Sequence, residues 1–264
     1  MFGRRTLPLL FAAACSAYAH AACTPIQIAY LDQDRPPYWL GRGTEVPEPP
    51  GAGVELVRRF TASVGCAAAL KRLPVLRLRP ALQAGEVDFA PMDASGDSLP
   101  GVVFPRDRAN RLDTERAVSS MVVVFVRAAD NPPRDLHPAR YLQGKLVGVT
   151  LGSPYIPRLE QSGLTLDSGA TNVARNLYKL RMRRIDAFAV SVVNAADMDN
   201  YVADNFGGEL VRLQQPLYSD HIWLACSQSY YDAHRTQVEA MWNWLGGSGR
   251  KEFSTLLDKY TDKR

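Results

Sequence analysis

The sequence has little of what common enzyme classes display. It contains no G-x-S-x-G elbow, no H-E-x-x-H pair, no G-x-x-x-x-G-K-[ST] loop and no paired CxxC. This removes the signatures of α/β-hydrolases, zinc proteases, P-loop NTPases and thiol redox proteins. The histidines, His20, His137, His221 and His234, are scattered. Ser219-Asp220-His221 has the residue types of a triad, but neighbours along a strand point to opposite faces, so it is set aside. No basic block exceeds pairs such as Arg58-Arg59 and Arg183-Arg184, and a net charge of +4 is diluted over 264 residues. Nucleic acid is therefore not an expected partner, because backbone binding needs a clustered basic surface. No cofactor or metal is expected. No internal repeat or low-complexity tract is found.

What is present begins with an N-terminal segment that is not read as structure. Arg4-Arg5 form a positive start, Leu7 to Ala14 a short apolar core, and Ala17-Tyr18-Ala19 or Ala19-His20-Ala21 a cleavage site, so residues 1–22 read as a secretory signal. A membrane anchor is disfavoured because a span needs roughly 20 apolar residues and none follow. A lipid anchor at Cys15 in Ala12-Ala13-Ala14-Cys15 stays open, although the Leu usual three positions earlier is missing. Export implies an oxidising compartment. Of the three remaining cysteines, Cys23 and Cys66 stand just before two expected neighbouring strands, which predicts a disulfide, and Cys226 in an apolar run reads as a buried free thiol.

The chain centres on Ile26 to Trp39. Ile26 to Leu31 alternates like a strand, and Pro36-Pro37 then break it ahead of Tyr38-Trp39. A helix is expected from Gly51-Ala-Gly53 to about Val64, a strand over 67–73, a helix to Ala84 with Pro80 in its first turn, and a strand over 87–91. This is a parallel α/β unit with right-handed crossovers. Residues 92–116 are polar and aperiodic, long for a loop in a compact domain. Long apolar strands are expected over 118–126 and 217–226. Between them lies a second α/β unit: a strand over 145–150, a helix capped by Ser153 with Pro154 at its first position, a helix capped by Thr171, a strand over 185–190, a helix over 194–203 and a strand over 209–213. Two amphipathic helices finish the chain.

Five pieces in this order resemble the family 3 extracellular solute-binding proteins: the strand with Pro36-Pro37-Tyr38-Trp39, Gly53-Val-Glu-Leu-Val, Pro80-Ala-Leu-Gln-Ala-Gly-Glu-Val-Asp88, Lys145-Leu-Val-Gly-Val-Thr-Leu-Gly-Ser153 and Arg184-Ile-Asp-Ala-Phe188. The resemblance covers essentially the whole chain after residue 22. It implies a two-lobed periplasmic-binding-protein-like α/β fold with two crossover strands and a ligand held between lobes by hinge closure. Lobe 1 is expected at residues 23–127 and 216–264, and lobe 2 at 128–215. It also implies a periplasmic monomer that binds a small molecule, has no chemistry of its own, and hands its solute to an inner-membrane ABC permease.

The family's amino-acid clamp does not transfer. The segment Met92-Asp-Ala-Ser-Gly-Asp-Ser-Leu-Pro-Gly101 contains no arginine for a ligand carboxylate, and Ser191 stands where an acidic residue would hold an ammonium. Arg106, Arg108, Arg111 and Arg116 are the later candidates to replace the arginine. The expected ligand-binding residues are Asp32, Tyr38, Trp39, Asp93, Ser95, Ser153 and Ser191. Asp32 either meets the ligand or stabilises the proline turn, Tyr38 and Trp39 either cover the ligand or cap the core, and Ser153 either presents a helix N-terminus to an anion or is an ordinary cap. The missing clamp favours a small organic acid or ring-containing polar solute over a standard amino acid. Two rival readings stay open: a dehydratase-like enzyme using Asp93, and a degenerate lobe pair acting as a sensor or partner protein.

Overall fold

The computed structural model describes residues 23–94, 99–133 and 135–261. The expected signal at 1–22, with Cys15, and the candidate Ser95 lie outside the described residues.

The chain opens with strand β1 (Ile26–Leu31), which lies between β2 (Ala68–Leu73) and β3 (Phe89–Met92) and runs parallel to both. The crossover helices are α1 (Ala52–Ala62) and α2 (Val75–Gln83). Gly51 caps α1 with φ 104°, and a Cβ there would stand 2.4 Å from the Tyr38 carbonyl oxygen, so only glycine lets the loop and helix meet. One face of β1, with Ile26 and Ile28, packs on Leu56, Val57 and Phe60 of α1. The other face, with Ala29, packs on Leu78, Ala81 and Leu82 of α2. Pro80 lies inside α2 rather than in its first turn. Its ring removes the helical donor for the carbonyl of Leu76, a residue that is 61% exposed. The long segment after β3 is built from a two-residue strand, β4 (Val102–Val103), an Arg106↔Leu112 bridge and a 3-10 turn at Thr114–Arg116.

Strand β5 (Val118–Arg127) then leads into the second unit: α3 (Pro138–Tyr141), β6 (Leu146–Thr150), α4 (Ile156–Gln161), β7 (Thr165–Ala170), α5 (Val173–Arg181), β8 (Ala187–Val192), α6 (Asp199–Phe206) and β9 (Leu210–Arg212). β5 is buried on both sides. Val122, Val124 and Val126 face the core under α3 and α4, while Val123 and Phe125 face the core under α5 and α6. The two-residue strand period sends alternate side chains to opposite layers. β7 was not expected. It pairs with β6 alone, and Asp167, Ser168 and Gly169 give it none of the β-branched pattern of a central strand. The expected helix at 194–203 starts later, at Asp199, and α5 is capped by Asn172, not Thr171, its Oδ1 accepting from the Arg175 N–H at 2.9 Å.

β10 (Tyr218–Ser227) returns the chain to the first unit. Residues 218–222 pair antiparallel with 118–122 of β5, and residues 223–226 pair antiparallel with β3. The sheet order is β2-β1-β3-β10-β5-β8-β6-β7, with β4 against β10 and β9 against β5. The ends of the chain, α7 (Gln228–Trp244) and α8 (Arg250–Thr261), are joined by a π-helical stretch at Leu245–Gly249 and close the first core with Val238, Trp242, Phe253 and Leu256. The architecture is a two-lobed α/β fold.

Cys23 and Cys66 form a disulfide across 43 residues with their Cα atoms 5.1 Å apart, because β1 and β2 pair in parallel register and both cysteines precede their strands. Cys226 is a buried free thiol. A Cys23→Ser, Cys66→Ser double variant is expected to lose about 2–4 kcal/mol of stability, chiefly because the unfolded chain is released. Denaturant unfolding measures the loss, and non-reducing peptide mass spectrometry finding both thiols free in the native chain contradicts the pairing.

Candidate ligand site between the lobes

The turns that follow β1, β6 and β8 converge where the two lobes meet, the side of a sheet at which open α/β folds bind ligands. The contacts are specific. Arg35 Nη2 donates to the Ser191 carbonyl at 2.6 Å. The Tyr38 hydroxyl donates to the Asp197 carboxylate and accepts from the Val193 N–H at 2.7 Å. Asp197 also accepts from the Asn194 N–H at 2.8 Å. Both Tyr38 and Asp197 are buried, 6% and 8% exposed. Burial pushes the Tyr38 phenol up, reinforced by the neighbouring Asp197. Burial also raises the Asp197 carboxyl, against the hydrogen bonds that stabilise its charge.

A second cluster surrounds Tyr155. Its hydroxyl donates to the Ala189 carbonyl at 3.2 Å and is also met by the Ser153 side chain and the Ser191 backbone, while Arg35 and Asp93 both act on it electrostatically. Burial dominates and raises its phenol. Tyr218 joins this group: its ring lies 3.8 Å under the Arg158 guanidinium, and its buried hydroxyl has no partner. Burial raises its phenol, Arg158 lowers it, and Asp93 and Tyr155 add to the rise. The candidate site therefore carries two guanidiniums, Arg35 and Arg158, with a carboxylate, two serines and a phenolic hydroxyl near one buried ring.

Beside this cluster a cavity of about 330 Å³ opens between lobes. The turns after β1 and β2 line it with Asp32, Asp34 and Val75, and the turns after β6 and β7 line it with Leu151 and Asn172. Gly152 sits at its seam: a Cβ there would lie 2.8 Å from both Leu76 Cδ2 and Val75 Cγ1 of the opposite lobe.

The expected site residues fall into distinct places. Ser153 and Ser191 adjoin Tyr155, Asp93 acts on it electrostatically, and Asp32 lines the adjacent cavity. Tyr38 is the latch to Asp197. Trp39 packs on Gly53, where a Cβ would stand 2.5 Å from its ring, and on Tyr30 with ring centroids 5.0 Å apart. Ser153 is not a helix cap. α4 starts at Ile156, its cap position is Tyr155, and Ser153 belongs to a turn in which its N–H bonds the Thr150 carbonyl. Pro154 does not open the helix, and Ile156 follows the turn with Pro157 in its first positions.

The late arginines do not supply the missing clamp. Arg116 is held by Asp113, Glu239 and the Arg106 carbonyl, Arg111 by Asp107, and Arg106 by the Asn110 carbonyl, while Arg108 is exposed. The cation that reaches across to Ser191 is Arg35, inside Asp34-Arg35-Pro36, a residue the sequence reading did not single out. Its position in the loop expected to face a ligand was the available signal. Asp197 and Tyr155 were also missed.

No protein-family model and no curated protein matches the chain. Solved structures do. The ligand-binding core of GluR0 from Nostoc punctiforme in complex with L-glutamate is 18% identical, with TM-score 0.63 over 90% of this chain and 100% of that one. A second GluR0 ligand-binding core with L-glutamate is 12% identical, with TM-score 0.68 over 91% and 99%. A mutant of ArgBP from T. maritima is 20% identical, with TM-score 0.62 over 90% and 95%. At these identities the likeness carries the fold, the two-lobed fold of periplasmic binding proteins.

Tyr38→Phe keeps the packed ring but removes the hydroxyl that accepts from the Val193 N–H and donates to Asp197, which keeps its Asn194 N–H. It is expected to cost about 1–3 kcal/mol and to move the lobes apart. Asp197→Asn is expected to cost less at neutral pH, because it retains an acceptor and removes a buried charge. The carboxyl is raised in the folded state, so the stability held below its ordinary pKa is lost as pH rises through the raised value. Thermal unfolding against pH and the small-angle scattering radius check both, and an unchanged radius and midpoint in Tyr38→Phe contradicts the latch.

Proposed function

We propose that this chain is an exported solute-binding protein that holds a small polar or anionic organic solute between its lobes and delivers it to an inner-membrane ABC uptake system. The observation that carries this reading is the convergence of turns from both lobes on one polar cluster and one cavity, bridged by Arg35–Ser191 and Tyr38–Asp197. A cavity of about 330 Å³ suits a small molecule. Arg35 uses one nitrogen on Ser191 and has further donors on its guanidinium, so an anionic group has a partner there. The unpaired Tyr218 hydroxyl offers another. Ligand-binding cores and amino-acid binding proteins share the fold, which supports a binding role over catalysis. Asp32, Tyr38, Asp93, Ser153 and Ser191 are the residues assigned to the ligand and its closure, with Arg35, Tyr155 and Tyr218 added. Residues 1–22 are proposed to direct export, and among the described residues no helix is long and apolar enough to cross a membrane.

The solute class is tested by thermal shift with carboxylic acids alongside the twenty amino acids. Saturable stabilisation by a carboxylic acid, weakened by Arg35→Gln, is the expected result. A micromolar response to glutamate or arginine overturns the organic-acid preference and makes Arg35 and Asp93 the relocated clamp, since about 8 kcal/mol must be gained and an unpaired buried charge costs several. No response to either set favours the partner-protein reading.

The lobes are proposed to bend within the paired segments 118–122 and 218–222. β5 from Val122 onward serves the second-lobe cores and β10 from Trp223 onward the first-lobe cores, so the proposed division falls within the two strands, not at the expected residues 127 and 216. Amide exchange is expected to be faster at 118–122 than at 123–127, and equal protection along β5 counts against this hinge.

A further inference from the structure

A second cavity, about 420 Å³, lies next to the first and shares Arg42 and Asn172 with it. Arg42 comes from the loop between β1 and α1. The opposite wall comes from α5 and its surroundings: Arg175, Tyr178, Lys179 and Arg184. Arg175, Tyr178 and Lys179 share one helix face by the three- and four-residue spacing. Past the end of α5, Arg183 takes a left-handed φ of 57° and turns the chain back, so that the Arg184 N–H bonds the Lys179 carbonyl at 2.9 Å and its side chain joins the wall.

The charge in this cavity is one-sided. Lys179 is neutralised by Asp167 at 2.5 Å, a carboxylate held below its usual range by the hydrogen bond from Lys179. Arg175 reaches only the Thr171 hydroxyl at 3.4 Å. Among the described residues, neither Arg42, Arg175 nor Arg184 is paired with a carboxylate. Three guanidiniums without carboxylate partners around one concavity repel each other. Tyr178, 55% exposed, stands on the same wall. A concave, drug-sized cavity with planar, multidentate donors and an exposed tyrosine fits a compact polyanion better than a flat macromolecular surface does.

We infer that this cavity is a second ligand site, for a small organic or inorganic anion carrying two or more negative charges, gripped by Arg42 from one lobe and by Arg175 and Arg184 from the other. Because the guanidiniums come from both lobes, the anion ties the lobes together. By linkage it strengthens capture in the neighbouring cavity by the same factor that any solute there strengthens its own binding. The site stands whether or not the neighbouring cavity takes the solute proposed above.

The test is calorimetric titration of the full chain after residue 22 with pyrophosphate and with citrate, at constant ionic strength set by chloride. Arg42→Gln, Arg175→Gln and Arg184→Gln are exposed substitutions whose melting without anion is compared with the parent. Saturable binding is expected, weakened about tenfold or more by each variant, since each removes a charge-assisted pair. Absence of saturable binding, or binding indifferent to all three, overturns the site. Binding lost in Arg175→Gln and Arg184→Gln but retained in Arg42→Gln overturns the bridge between lobes. Binding only of an acidic polypeptide such as polyglutamate, with no response to either small anion, assigns the surface to a protein partner and overturns the small-molecule reading.

Discussion

The pairing of residues 118–122 with 218–222 is the constraint on which the rest depends. The sheet path crosses from one lobe to the other through β10 and β5, and on either side of that short ladder the same two strands are committed to separate cores. A backbone ladder resists slipping along the strand because a one-residue shift would turn every side chain to the other face. It resists twist far less. Under the proposed hinge, the two lobes would keep their register while their facing surfaces swing.

Those surfaces meet through polar groups rather than through a continuous apolar core. Tyr38 places a hydroxyl between a carboxylate and an N–H of the other lobe, and Arg35 reaches a carbonyl there. Each such bond is worth about 1–3 kcal/mol net, the upper end where one partner is charged, and leaving its partner buried and unmet carries a comparable penalty. The junction is therefore selective without being strong. The glycine at 152 belongs to the same design, since the opposite lobe approaches it more closely than any side chain would allow.

The fold was legible where burial writes a pattern. The apolar run of β5, buried on both faces, and the apolar half of β10 announce central strands, and the positions of Cys23 and Cys66 before two parallel neighbours announce their bond. It was not legible where tertiary contacts overrule local chemistry. β7 is held by β6 despite Asp167, Ser168 and Gly169. Ser153 and Pro154 look like a helix start, yet the chain spends them on a turn so that Tyr155 can point inward to Ala189. Part of the candidate site was visible as residue types at strand ends, including Ser153 and Ser191. Arg35, Tyr155 and Asp197 were not, because nothing in Asp34-Arg35-Pro36 or in a segment resembling a helix says which side chain a distant loop will meet.

The insertion of β10 between β3 and β5 has a consequence for how the molecule comes into being. The second lobe is built from one uninterrupted stretch of chain, and its contacts are comparatively local. The first lobe is begun by β1 and finished only by β10, α7 and α8, whose residues Val238, Trp242 and Leu256 fill the core started by Ile26 and Ile28. Whenever the chain is delivered from its N-terminus, the half that emerges first must wait longest for its missing pieces. Long-range pairing is slow and leaves unpaired strand edges exposed in the interval. The lobe in the middle of the chain is thus the one able to mature first, and the lobe carrying both termini remains vulnerable until the last helix arrives.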